Sequence, residues 1–131
     1  MEAKELRIGN IVKYKKGHLA KVSYLCSGGD KSIIGIDGIE SNYVDGAYKD
    51  VDILPIQLTE EILLKCGFSY NGTTWQGEFD DTYSEWVFDE RDEFCDYDET
   101  IKWNNDRGIK YLHQLQNMIF ALTGNELEVN L

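Results

Sequence analysis

The sequence predicts an α+β protein: an N-terminal SH3-like small β-barrel unit, a short helix, a three-stranded antiparallel sheet and a closing C-terminal helix. Three observations carry that expectation. Residues 6–54 alternate apolar and polar positions in short runs broken by glycine turns. Residues 58–68 hold a full set of helix start and stop signals, and residues 109–124 repeat apolar positions at helical spacing. The chain is thereby divided into a β unit over 1–54 and a helix–sheet–helix unit over 55–131, expected to pack together as one compact protein.

In the first unit, "LRIGNIVKYKKG" places Ile8, Val12 and Tyr14 among polar residues, and Lys16-Gly17-His18 reads as a turn. "LAKVSYLCS" then alternates Leu19, Lys21, Ser23 and Leu25 against Ala20, Val22, Tyr24 and Cys26. Gly28-Gly29-Asp30-Lys31 reads as a hairpin turn into the β-branched run "SIIGIDGIE". Gly9, inside the expected first strand, calls for a bulge or bend. Pro55 lacks an N–H for continued strand pairing and ends the unit.

"LTEEILLKCGF" begins with Thr59 as N-cap, and Glu60 and Glu61 suit the positive end of the helix dipole. Leu58 and Leu63 occupy the staple positions, and Gly67 takes the left-handed position after the C-cap, with Phe68 folding back on the last turn. Strands are then expected at Thr73–Gly77, Thr82–Phe88 and Tyr97–Asn104. In "TYSEWVF", Ser84, Trp86 and Phe88 fall on one face, with Tyr83, Glu85 and Val87 on the other. The final helix is expected to begin near Ile109. Leu112, Leu115, Ile119 and Leu122 recur at spacings of three and four, Tyr111 and Met118 widen the stripe, and Thr123-Gly124 stops it. "NELEVNL" finishes as a short strand or an extended tail.

The formal charge of −11 is concentrated in one segment. Residues 78–99 carry eleven carboxylates against Arg91, whereas residues 1–54 hold eight acidic and eight basic side chains. No basic groove for duplex phosphates is visible, so direct nucleic-acid binding is not expected. No apolar run approaches the roughly 20 residues that span a bilayer. "MEAKELRIGN" has no apolar signal core, and the expected location is the cytoplasm. Cys26, Cys66 and Cys95 are scattered and odd in number, which suits free thiols in a reducing compartment. With His18 and His113 equally scattered, neither a metal nor a cofactor is called for.

Two groups are candidates for binding. In the acidic segment, Trp86, Phe88, Phe94 and Tyr97 sit among carboxylates. The ordinary reading of such a charge run is a solvated face. The functional reading is an acidic, aromatic surface that attracts a basic protein, with mimicry of a DNA backbone as a special case. Loose divalent-ion binding is weaker still, because "DYDETI" lacks the glycine and ligand spacing of an EF-hand. On the last helix, His113 lies about 200° from Leu115 on a helical wheel. It reads as a boundary histidine or as part of a recognition face with Gln116, Asn117 and Phe120. No P-loop, GxGxxG, HExxH or GxSxG occurs, and no motif ties a histidine to a nucleophile, so an enzyme ranks third.

"ELRIGNIV" (5–12), "PIQLTEEILLKCGF" (55–68) and "IKYLHQLQNMIFALTGNEL" (109–127) resemble, in that order, a family of small uncharacterised proteins. Its members are encoded in Bacteroidetes genomes, their prophages and mobile elements. Ile62 stands where that family commonly has tryptophan, and Cys66 where it commonly has phenylalanine. The acidic segment falls in the family's most variable part. The resemblance implies a phage or mobile-element origin and a role in the host cytoplasm, and brings no activity or functional residue with it. The leading expectation is a non-enzymatic protein-interaction module; an acidic DNA mimic or inhibitor of a nucleic-acid-processing protein is the alternative.

A buried leucine stripe in the last helix has a direct test. Leu115→Ala is expected to cost about 2–5 kcal/mol in denaturant unfolding. A thermal midpoint unchanged by the substitution would remove the stripe from the core.

Overall fold

A computed structural model of the chain describes residues 5–14, 18–28, 31–38, 46–49, 53–79, 82–88, 93–96 and 108–130. Among these residues the fold is mixed α+β, mostly strands in two antiparallel sheets, with two helices. The chain divides into two compact units, Met1–Ile56 and Gln57–Leu131. Pro55 stands beside that division.

The first unit holds β1 (Ile11–Tyr14), β2 (His18–Gly28), β3 (Lys31–Gly38), β4 (Gly46–Lys49) and β5 (Ile53–Leu54). They form one sheet in the order β4-β3-β2-β1-β5. The expected bend at Gly9 takes the form of a tight turn ahead of β1. The Asn10 N–H donates to Arg7 O (3.0 Å), the Arg7 N–H donates to Asn10 Oδ1 (2.7 Å), and Gly9 has φ 98°. A side chain would strain that left-handed position. Ile8, expected among the strand residues, sits in this turn and is exposed.

The long β2 strand shows why simple alternation misleads. Its register against β3 slips between Val22 and Tyr24. A bulge inserts one residue and reverses which side chains face inward beyond it. Ala20 and Val22 are therefore buried before the slip, while Leu25 packs against the core after it. Leu6, Val12, Ile34, Ile36 and Ile53 complete this core. The expected turn at Lys16-Gly17 and the centre of the Gly29-Asp30 turn lie outside the described residues.

In the second unit, α1 (Glu60–Lys65) follows its sequence signals closely. Thr59 Oγ1 accepts the Ile62 N–H at 3.2 Å. At the other end the Phe68 N–H reaches Leu63 O (3.0 Å) and the Gly67 N–H reaches Leu64 O (3.2 Å), with Gly67 at φ 90°. Those two bonds are a Schellman motif, and they carry Phe68 back into the core. Leu58 and Leu63, the expected staple pair, are both buried.

The second sheet has four strands among the described residues: β6 (Ser69–Tyr70), β7 (Trp75–Phe79), β8 (Thr82–Phe88) and β9 (Phe94–Asp96), in that order. Two of the three expected strands fall on β7 and β8; β6, at two residues too short to show alternation, and β9 were not expected. Asn71 makes β6 by folding the chain back, so that Tyr70 pairs with Trp75. The expected strand Tyr97–Asn104 lies outside the described residues. On β8 the alternation holds: the Trp86 Nε1–H donates to Ser84 Oγ (2.8 Å) on one face, and the Tyr83 hydroxyl donates to Glu85 Oε1 (2.6 Å) on the other.

Beyond β9, Ile109 extends the sheet by one bridge. The Phe94 N–H donates to Ile109 O (2.7 Å) and the Ile109 N–H donates to Phe94 O (2.8 Å). Residue 109 is therefore committed to the sheet, and the last helix, α2 (Leu112–Thr123), starts three residues later than its apolar spacing suggests. Gly108 lies so close to β9 that an added Cβ would stand 2.5 Å from Glu93 Cβ and 2.7 Å from Cys95 Sγ. Gln114 caps the helix start, its Oε1 accepting both the Lys110 and Tyr111 N–H groups at 3.0 Å. Leu112, Leu115, Met118 and Ile119 are buried, but Leu122 is exposed, because the last turn runs past the core. The residues after Gly124 form an extended tail held by buried Leu127 and by the Asn130 N–H donating to Lys65 O (2.8 Å).

Phe94 holds this unit together, with Trp86 stacked on it at 5.2 Å, Phe68 edge-on at 5.5 Å and Phe88 at 5.2 Å. Phe94→Ala is expected to cost about 3–5 kcal/mol, read as a lowered urea midpoint. The exposed Tyr83→Ala on the same sheet should stay within about 0.5 kcal/mol of the parent. Equal effects at the two positions would overturn the assignment of Phe94 as the centre of the core.

Candidate partner-binding surface

The second unit carries a hollow of about 330 Å³ between the end of α1, the last turns of α2 and the tail. Cys66 and Ile119, both buried, form its floor, and Gly67 and Thr123 lie beside them. Its rim is polar: Glu78 from β7, then Asn125, Glu126, Glu128 and Asn130 from the tail, all exposed. No basic side chain is among the described residues that line it. Local folding explains the rim. The Thr123 hydroxyl donates to Ile119 O (2.8 Å) and accepts the Asn125 N–H (3.1 Å), which turns the chain out of the helix. Leu127 then anchors inward, leaving its neighbours Glu126 and Glu128 facing water.

Glu78 joins the hollow to the outer face of the sheet, where it is the direct cross-strand partner of Tyr83. Tyr83 is 55% exposed and hydrogen-bonded to Glu85. The resulting strip is aromatic contact area between two carboxylates. Such a surface favours cationic groups, by charge and by the ring's negative face.

The candidate residues named from sequence are distributed differently. Trp86 and Phe94 are 3% and 0% exposed, and Phe88 is half-buried against Phe94. The structure brings these three together as core. Tyr97 lies outside the described residues. On α2, Phe120 is 39% exposed and Asn117 half-buried. His113 and Gln116 are buried at 3% and 2%, so the expectation that their side of the helix faces outward is corrected. Leu112, His113, Leu115, Gln116, Met118 and Ile119 span an arc of about 220° at 100° per residue. An amphipathic stripe is narrower than that, and the leucine spacing alone hides the wider burial.

Among the described residues Tyr83 is, with Tyr70, one of two exposed tyrosines absent from the candidates named from sequence. Its signal was present in the strand alternation: Tyr83 shares a face with Glu85, and a face carrying a carboxylate is the wet one.

The buried polar groups have their own chemistry. The His113 ring lies parallel to Tyr111 at 5.9 Å, and its Nδ1 is buried without a hydrogen-bond partner among the described residues. Burial holds its pKa down, from 6.5 to about 4. Burial likewise pushes the Cys66 thiol up to about 12, far from a reactive thiolate. Among the described residues, no group of three or more His, Cys, Asp or Glu side chains is arranged to hold a metal ion. No helix among them is long and apolar enough to cross a membrane. No protein-family model, characterised protein or solved structure matches the chain at a significant level.

The histidine predicts a pH dependence. Between pH 6.5 and about 4 the unfolded chain binds a proton at His113 that the folded chain refuses. Stability therefore falls as pH falls through that window, by about 3 kcal/mol in all, and this contribution is flat below it. Urea midpoints of the parent and His113→Gln, compared across the window, should converge on acidification. A constant difference would overturn the neutral, buried assignment.

Proposed function

We propose that the chain is a non-enzymatic protein-interaction module of phage or mobile-element origin, acting in the cytoplasm of a bacterial host. In this reading it binds a basic segment of a partner protein through its second unit. The observation that carries the proposal is the hollow rimmed by Glu78, Glu126 and Glu128 over an apolar floor and continuous, through Glu78, with the Tyr83–Glu85 strip. A lysine or arginine side chain suits such a surface, its stem against apolar atoms and its charge among carboxylates.

The architecture is compatible with a binding module. The order β4-β3-β2-β1-β5, with a bulge in β2, supports the SH3-like reading of the first unit. The buried faces of Leu112, Leu115 and Met118 support the reading of α2 as the closing helix of the second. The origin rests on the three sequence motifs. The concentration of carboxylates in residues 78–99 favours a second reading, an acidic DNA mimic that inhibits a nucleic-acid-processing protein.

Affinity capture from a Bacteroidetes host with the full chain as bait, followed by titration of the captured protein, tests both. Glu126→Lys combined with Glu128→Lys is expected to weaken binding about tenfold or more, and Tyr83→Ala to do the same. Both readings lose affinity as salt rises. A partner that still binds its nucleic acid while holding this chain identifies the interaction module, whereas a partner whose nucleic acid competes with the chain for one site identifies the DNA mimic. A partner that binds parent and variants equally would overturn this surface as the contact.

A further inference from the structure

The turn between β6 and β7 is built from the one Asn-Gly pair in the chain, Asn71-Gly72, and its geometry suits a covalent change that the proposed function does not use. The Asn71 N–H donates to Thr74 O at 3.1 Å, closing the turn. Asn71 Oδ1 accepts two backbone N–H groups, from Thr73 at 2.9 Å and Thr74 at 2.7 Å. Because both partners are donors, the oxygen of the carboxamide must face them, and the Nδ2 amine points elsewhere. That amine has no hydrogen-bond partner among the described residues, and neither does the Gly72 N–H. Residues 71–73 are all exposed, and a side chain built on Gly72 would meet nothing within 4 Å.

We propose that Asn71 is a site of spontaneous deamidation in the folded protein. The Gly72 backbone nitrogen gives its proton to water and forms a bond to Asn71 Cγ. Negative charge develops on Oδ1, which already accepts the Thr73 and Thr74 N–H groups, so these donors favour the addition. The Cγ–Nδ2 bond then breaks, and ammonia leaves with a proton from water. The product is a five-membered succinimide. Water adds to either of its carbonyls and opens the ring to an aspartyl or an isoaspartyl residue. Overall one water is consumed and one ammonia released, with no oxidation or reduction. Three features that oppose this reaction elsewhere are missing here: a side chain crowding the nucleophile, a hydrogen bond holding its N–H, and a buried leaving group.

The two products differ in consequence. Aspartate at 71 offers the same acceptor to Thr73 and Thr74 and preserves the turn. The isoaspartyl form adds a methylene to the main chain inside a turn that pairs Tyr70 with Trp75, and so disturbs the register of β6 on β7.

The experiment is incubation of the full folded chain at mildly alkaline pH, with the same chain in concentrated urea beside it. Each asparagine is followed by peptide mass spectrometry. The expected result is conversion at Asn71 in the folded chain, at a rate within about tenfold of that in urea. Exposed Asn125, which precedes Glu126, should lag it by at least about tenfold, or about 1.4 kcal/mol of added barrier. The new acidic species should co-elute on ion exchange with Asn71→Asp, apart from an isoaspartyl form resolved by peptide mapping. Conversion of Asn71 more than about tenfold slower in the folded chain than in urea, or no faster than Asn125, would overturn the proposal.

Discussion

The pairing of Phe94 with Ile109 is the constraint on which the second unit depends. Two backbone hydrogen bonds, at 2.7 and 2.8 Å, join β9 to the strand-like residue just ahead of α2. The Phe94 side chain meets Phe68, Trp86 and Phe88, which come from the end of α1 and from β8. One residue thus links both ends of the sheet's sequence to the start of the helix. Gly108 permits the approach, since any Cβ there would collide with Glu93 and Cys95. The same pairing decides where α2 begins, because a residue whose N–H and C=O are both given to a strand cannot also open a helix.

Burial of α2 has a consequence for polarity. A helix enclosed over an arc as wide as this one must bury polar side chains or carry none there, and this one buries His113 and Gln116. An imidazole kept neutral in such a place avoids the cost of a buried charge. Exposed carboxylates of the second unit include Glu126 and Glu128 on the tail and Glu78 on β7, the last beside Tyr83, which bonds Glu85 on the outer face of β8. Within the acidic segment, Glu78, Tyr83 and Glu85 belong to the proposed contact surface, whereas Trp86 and Phe94 belong to the core.

Local signals were the readable part of the sequence. Thr59, Gly67 and Phe68 marked α1 at both ends, Thr123-Gly124 marked the end of α2, and the alternation in "TYSEWVF" separated Trp86 from Tyr83. Each of these depends on hydrogen bonds or side-chain directions within a few residues. The bulge in β2 was not readable, because a one-residue slip leaves no mark in composition and yet brings Leu25 onto the core side along with Ala20 and Val22. The two-residue strand β6 was not readable either. As for the candidate site, the acidic segment contains Glu78 and Glu85, which the proposed surface uses. It pointed to the wrong aromatics, since Trp86 and Phe94 are core.

By itself, the sequence determined the α+β composition, the position and caps of the first helix, the stop of the second, and the concentration of negative charge. These follow from backbone propensity, capping and side-chain charge, which act over short distances along the chain. Only the tertiary structure decided that Phe94 and Trp86 face inward, that His113 is enclosed, that α2 starts at Leu112, and that a tail carboxylate pair meets Glu78 around one hollow. Those outcomes depend on which segments pack against each other, and burial belongs to the packed pair of surfaces and not to either segment alone.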